Sequence, residues 1–116
     1  EVCDLMDWPD DLIVVNLQGD EPTMPAELID QCAGLLQDST ADIATLASPL
    51  ASQADVDNPN VVKVVCTDDG NALYFSRAAI PWKRDGIAWG NPVAPELTRG
   101  FMRHIGLYDY RAGLFR

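Results

Sequence analysis

The chain has 116 residues, 47% of them apolar and 22% charged, with a formal net charge of −10. These proportions describe one folded domain and exclude a disordered chain; the length is enough to bury roughly two thirds of the unfolded surface. No stretch approaches the ~20 apolar residues of a membrane span, and the acidic balance argues against nucleic acid, which needs a basic footprint.

In chain order, residues 1–8 read as the tail of a helix closed by Pro9. Leu12–Leu17 is a short apolar run between turn signals, which predicts a buried parallel strand. Leu28, Ile29, Cys32, Leu35 and Leu36 recur at helical spacing behind Pro25, so a helix is expected there. Ile43–Ala47 predicts a second strand, and a strand–helix–strand unit of this length fits a right-handed βαβ crossover. Asp57-Asn58-Pro59-Asn60 is a turn cluster. Val61–Thr67 and Ala72–Ser76 flank Asp68-Asp69-Gly70-Asn71, a hairpin signal. Residues 83–98 hold two Pro and two Gly and read as a long loop. Phe101–Tyr110 predicts a strand with Arg103 and Ile105 on one face and His104 and Gly106 on the other. There is no internal repeat, low-complexity segment or interdomain linker.

Charge is unevenly placed. Residues 1–62 contain thirteen acids and no Lys or Arg, whereas residues 63–116 hold all eight Lys and Arg with five acids. The acidic half reads as solvated surface; the basic half is where an anionic substrate would find cations. Cys3, Cys32 and Cys66 are widely spaced and His104 is the only histidine, which removes zinc sites of standard spacing. Cys32 and Cys66 fall on apolar patterns, as core residues of a reducing compartment do. The chain starts without Met, and both ends read as cut inside structured elements, so the missing signal peptide carries no information.

The segment richest in chemistry is Asn16-Leu17-Gln18-Gly19-Asp20-Glu21-Pro22, where an apolar strand ends in a carboxylate just before a helix. Open α/β sheets bind ligands outside the carboxyl ends of their strands, and helix amino termini favour phosphate. Asp20 is either a turn residue or a Mg²⁺ ligand, since Mg²⁺ takes one or two carboxylates plus substrate phosphates. Glu21 points elsewhere if the segment stays extended. Gln18 can read a hydroxyl or a base edge, and Gly19 allows close backbone approach to a ligand; both also suit an ordinary strand-end turn. Arg77, leaving the strand Leu73–Ser76, is either a surface residue or a bidentate partner for carboxylate or phosphate. Ile80-Pro81-Trp82 forms a stiff apolar corner for core or interface packing. His104 and Tyr108 share a strand face at spacing four, either as structural residues or as hydrogen-bonding partners of a polyhydroxylated anion.

Four segments together carry a resemblance: Val14–Pro22, Asn58–Val65, Ala72–Trp82 and Arg103–Tyr108. In order and spacing they resemble the 3-deoxy-manno-octulosonate (KDO) cytidylyltransferase family, the CMP-KDO synthetases, over nearly the whole chain. The resemblance implies a Rossmann-like α/β nucleotide-sugar transferase fold, incomplete here, with an inserted β-hairpin region. It implies that CTP and KDO give CMP-KDO and pyrophosphate with Mg²⁺, in a cytoplasmic homodimer serving lipopolysaccharide biosynthesis. It places Asp20 as metal ligand, Gln18 and Gly19 in the active-site cleft, Asp20 and Arg77 in catalysis, and Arg77, His104 and Tyr108 on the sugar side. The family's triphosphate-cradling loop and its second metal-binding Asp have no counterpart in residues 1–116, so the chain reads as the central part of one cytidylyltransferase domain, inactive alone. Asp109 stands where the family pattern leads one to expect a small residue. The competing readings are a cytidylyltransferase for another acidic sugar such as sialic acid, and a non-catalytic dimerisation module built on the hairpin at residues 61–76 and the Ile80-Pro81-Trp82 corner.

Overall fold

The computed structural model describes residues 1–19, 23–87, 89 and 100–116. The chain divides into two compact units, Glu1–Leu46 with Gly106–Arg116, and Ala47–Ile105. Five strands, three short to medium α-helices and a closing 3-10 turn (Ala112–Phe115) are formed among the described residues, and all the strand pairings whose direction is resolved are antiparallel.

The first unit opens with the one-turn helix α1 (Val2–Leu5), followed by strand β1 (Ile13–Leu17) and helix α2 (Ala26–Gln37). Pro25 stands at the amino end of α2, where its missing N–H costs nothing. The buried stripe of α2 is Cys32 and Leu36, with Ile29 half-buried one turn earlier; Leu35, expected on that stripe, is turned outward. At the other end of α2 the Arg111 guanidinium donates to the carbonyls of Leu36, at 2.8 Å, and Ser39, at 3.1 Å. A cation there satisfies orphan carbonyls and opposes the helix dipole.

Strand β1 pairs antiparallel with the carboxyl-terminal half of β5 (Met102–Arg111), in a register running from Ile13↔Arg111 to Leu17↔Leu107. This corrects the expected parallel strand. Strand β2 (Ile43–Pro49) also pairs with β5, so β1 and β2 are not ladder neighbours and the expected simple βαβ pair is split by β5. The sequence places β1 and β2 around one helix, but the strand with the matching hydrogen-bonding edge comes from about ninety residues further on. β1 lies at the end of the strand order, and Val15 and Leu17 on it remain partly exposed, as an edge strand's do.

In the second unit, helix α3 (Gln53–Asp57) follows β2. Its cap is Ser52, whose hydroxyl accepts from the Asp55 N–H at 3.2 Å and donates to the Asp55 carboxylate at 2.9 Å. The turn cluster then closes with the Asn58 side chain accepting from the Asn60 N–H at 2.9 Å. The hairpin is as expected: β3 (Lys63–Cys66) pairs antiparallel with β4 (Ala72–Ser76). Its turn is set by Gly70 at φ 88°, a conformation that favours glycine, and by Asn71 bonds to Thr67. The register shifts between Val65 and Cys66, and Cys66 is exposed rather than in the core as expected. β3 also pairs with the amino-terminal end of β5 through Lys63↔Arg103 and Val64↔Met102. Leu50, Val56 and Phe101 form this unit's core, with Val61, Ala79, Ile87 and Trp89 packed around it. Trp82 is 81% exposed, so the Ile80-Pro81-Trp82 corner does not serve core packing through its indole.

Candidate functional site

In the first unit the site is built where β1 ends. The alternation of β5 turns Leu107 and Asp109 into the interior, which leaves Gly106 and Tyr108 on the opposite face. Asn16 pairs with Tyr108 and Leu17 with Leu107, so Gln18 continues the register opposite Gly106. The Gln18 side chain lies against that glycine: a Cβ built on Gly106 would stand 2.6 Å from Gln18 Oε1 and 3.2 Å from its Cδ. Nothing in the described structure lies within 4 Å of a Cβ built on Gly19. The structure thus brings Gln18, Gly19, Gly106 and Tyr108 to one strand end. Tyr108 stands within the strand rather than at a turn. Asp20, the expected metal ligand, and its neighbour Glu21 lie outside the described residues.

Arg77 and His104 belong to the second unit. Arg77 is exposed, and its guanidinium donates to the Pro59 carbonyl at 2.8 Å. A guanidinium has five N–H donors, so this bond orients the group without exhausting it. His104 stands edge-on to Phe75 with ring centroids 4.9 Å apart, and its backbone N–H donates to Val62 O at 2.8 Å. Burial lowers the His104 pKa from its ordinary value of 6.5, which favours the neutral imidazole near pH 7.

Lys63 is a structural determinant that the sequence reading missed. It is fully buried, and its ammonium donates to three backbone carbonyls: Asn58 at 2.9 Å, Val61 at 2.7 Å and Arg77 at 2.6 Å. Three donors meeting three carbonyls satisfy the group, and the last of them fixes the backbone of Arg77. Desolvation still pulls its pKa down, partly opposed by Asp57. A lysine opening an apolar strand was the only signal available for this. Gly106 was visible as a gap on the His104 and Tyr108 face, but its contact with Gln18 depends on the pairing of β1 with β5. A cavity of about 340 Å³ in the second unit is lined by Gln53, Val56, Pro81, Trp82, Lys83 and Phe101, among others, and includes none of the candidate residues.

Asp109, where a small residue was expected, is fully buried opposite Val15, and neither of its oxygens has a hydrogen-bond partner of normal geometry. Desolvation raises its pKa, opposed by the weak hydrogen-bond donor of the Cys32 thiol. The same burial, with Asp109 beside it, pushes the Cys32 thiol up to about 12.

The sequence profile described as Cytidylyltransferase matches residues 1–116. The 3-deoxy-manno-octulosonate cytidylyltransferase of Sodalis glossinidius is 49% identical over 116 residues, all of this chain and 45% of that protein. The protein of the same name from Vibrio vulnificus is 52% identical over 113 residues, 97% of this chain and 44% of its own length. The solved structure of a CMP:2-keto-3-deoxy-manno-octonic acid synthetase complexed with CTP superposes with a TM-score of 0.72 at 31% identity, covering 96% of this chain and 42% of that one. The chain therefore spans a little under half the length of the relatives it matches, and shares their fold over that span. With a profile match from its first residue to its last, the chain belongs to the cytidylyltransferase family.

Proposed function

We propose that the protein carrying this chain is a cytidylyltransferase that activates KDO, converting CTP and KDO to CMP-KDO and pyrophosphate for lipopolysaccharide biosynthesis. The observation that carries this reading is the 49% identity, over the whole chain, to an enzyme named for that reaction. The CTP-bound structural neighbour supports the nucleotide half of it. In this reading the anomeric hydroxyl of KDO attacks the α-phosphorus of CTP and pyrophosphate leaves. The Gln18 carboxamide orients a hydroxyl or base edge, and the open surface at Gly19 admits the ligand. Arg77, His104 and Tyr108 serve the sugar: a guanidinium for its carboxylate, a neutral imidazole and a phenol for its hydroxyls. Positioning of this kind supplies much of the rate in phosphoryl transfer.

Mg²⁺ fits the donor chemistry. The sequence puts a hard carboxylate, Asp20, two residues beyond Gln18. One carboxylate with substrate phosphates is a usual Mg²⁺ set. When bound, the ion neutralises charge developing on the phosphates.

The chain is then the central portion of one cytidylyltransferase domain in a protein that the family resemblance places in the cytoplasm. Exposed apolar side chains at Leu73, Tyr74, Phe75 and Trp82 support a homodimer formed through the hairpin unit. The test is release of pyrophosphate by the full-length protein from CTP and Mg²⁺ with KDO or with N-acetylneuraminate, and with Arg77→Ala as a control. KDO-dependent release, reduced in the control, is expected. A preference for N-acetylneuraminate would replace the sugar assignment, and no release with either sugar would refute the activity.

A further inference from the structure

Gly106 presents an observation that fold alone does not explain. Its backbone lies outside the positive-φ region in which Gly70, Gly86 and Gly100 are found, so any residue could adopt its conformation. What it lacks is room. A Cβ there would stand 2.6 Å from Gln18 Oε1, 3.2 Å from Cδ and 3.8 Å from Cγ. The whole outer half of the Gln18 side chain therefore rests over the glycine's Cα. Tyr108, two residues along β5 on the same face, carries a full side chain, as does its partner Asn16 on β1. Among the described residues of this face the glycine is a notch one residue wide, and the carboxamide of Gln18 lies across it.

We infer that Gly106 is a positioning residue for the Gln18 carboxamide, and that it acts by leaving space rather than by contact with substrate. The inference deepens the proposed function and rests on the reading that Gln18 contacts a substrate. The reasoning is steric. The group a new methyl would strike is the far end of a flexible side chain, not backbone, so Gln18 would swing away and the strand pairing would persist. A carboxamide swung out of place loses its hydrogen bond to the ligand while the fold is kept. A merely structural glycine would behave in the opposite way, losing stability with no selective effect on substrate affinity.

The experiment has two arms. In the first, the side-chain amide signals of Gln18 are followed by nitrogen–proton NMR in the full-length protein and in its Gly106→Ala variant. A displaced signal pair within an otherwise preserved spectrum is expected; unchanged Gln18 signals would overturn the inference whatever the kinetics. In the second, the full-length protein is assayed as Gly106→Ala, Gln18→Ala and the double variant. Gly106→Ala is expected to raise KM for one substrate by about three- to tenfold, the size of one lost neutral hydrogen bond, at an unchanged unfolding midpoint. The double variant is expected to match Gln18→Ala rather than multiply the two effects. An impaired Gln18→Ala beside a normal Gly106→Ala would overturn this inference alone. A normal Gln18→Ala would overturn the assignment of Gln18 to substrate, and the positioning role with it. Inactivity of the parent enzyme would overturn the proposed function, leaving the NMR arm to decide whether the glycine sets the side chain's position.

Discussion

Replacing Asp109 by alanine removes a fully buried carboxyl group whose two oxygens have no hydrogen-bond partner of normal geometry, with only the weak donor of the Cys32 thiol beside them. Leaving a buried polar group unpaired costs about 1–3 kcal/mol even when it is uncharged. Ionisation adds to that cost. In the unfolded chain the carboxyl releases its proton near the ordinary value of 3.8, whereas burial holds the folded-state value higher. Between those two values the folded state binds more protons than the unfolded state. Stability therefore falls as pH rises from about 3.8 through the folded-state pKa, and is level above it. Each pKa unit of that displacement is about 1.4 kcal/mol. Cys32, the titratable neighbour on α2, stays a neutral thiol throughout, with its pKa pushed up to about 12. Asp109→Ala is accordingly expected to be more stable than the parent by about 1–3 kcal/mol near pH 4, where the folded-state carboxyl is protonated, and by more at pH 8, where ionisation adds its cost. Asp109→Asn keeps the shape and removes the titration, so it should lose the pH slope while retaining the cost of an unpaired polar group. Urea unfolding followed by tryptophan fluorescence at several pH values between 4 and 8 measures all three. Parallel pH curves for the parent and both variants, or an Asp109→Ala chain that is less stable at pH 8, would refute the reasoning by showing that the carboxylate is solvated or paired.

Two further outcomes are expected. Lys63→Met leaves the carbonyls of Asn58, Val61 and Arg77 without their donor; since these residues are partly open to water, the loss should be about 2–4 kcal/mol rather than the full sum. A shift in urea midpoint equivalent to less than about 0.5 kcal/mol, the range of ordinary surface substitutions, would contradict it. His104 should titrate below its ordinary value of 6.5, because burial lowers its pKa. The unfolded state then binds the extra proton, so the His104 contribution to stability falls as pH drops below about 6.5. An imidazole NMR titration with a midpoint above that value would count against this.

Much was legible in the sequence because it depends on neighbours along the chain. Pro25 followed by an apolar stripe starts α2, and Gly70 among Asp and Asn residues turns the β3–β4 hairpin. Alternation in the carboxyl-terminal half of Met102–Arg111 sets Leu107 and Asp109 on the face opposite Gly106 and Tyr108. The four motif segments were enough to indicate the family that the whole-chain profile match shows. Pairing was not legible. Nothing local says that β1 takes the carboxyl-terminal half of β5 as its antiparallel partner, and a slip of one residue would exchange every inward and outward side chain. That register sets Gln18 over Gly106 and Asp109 opposite Val15, and the pairing of β2 with the same strand separates β1 from β2. Of the carbonyls around the Lys63 ammonium, that of Arg77 likewise arrives only when β4 pairs with β3. Periodicity and turn chemistry are written residue by residue, whereas a contact between distant residues exists only after the strands have chosen their partners.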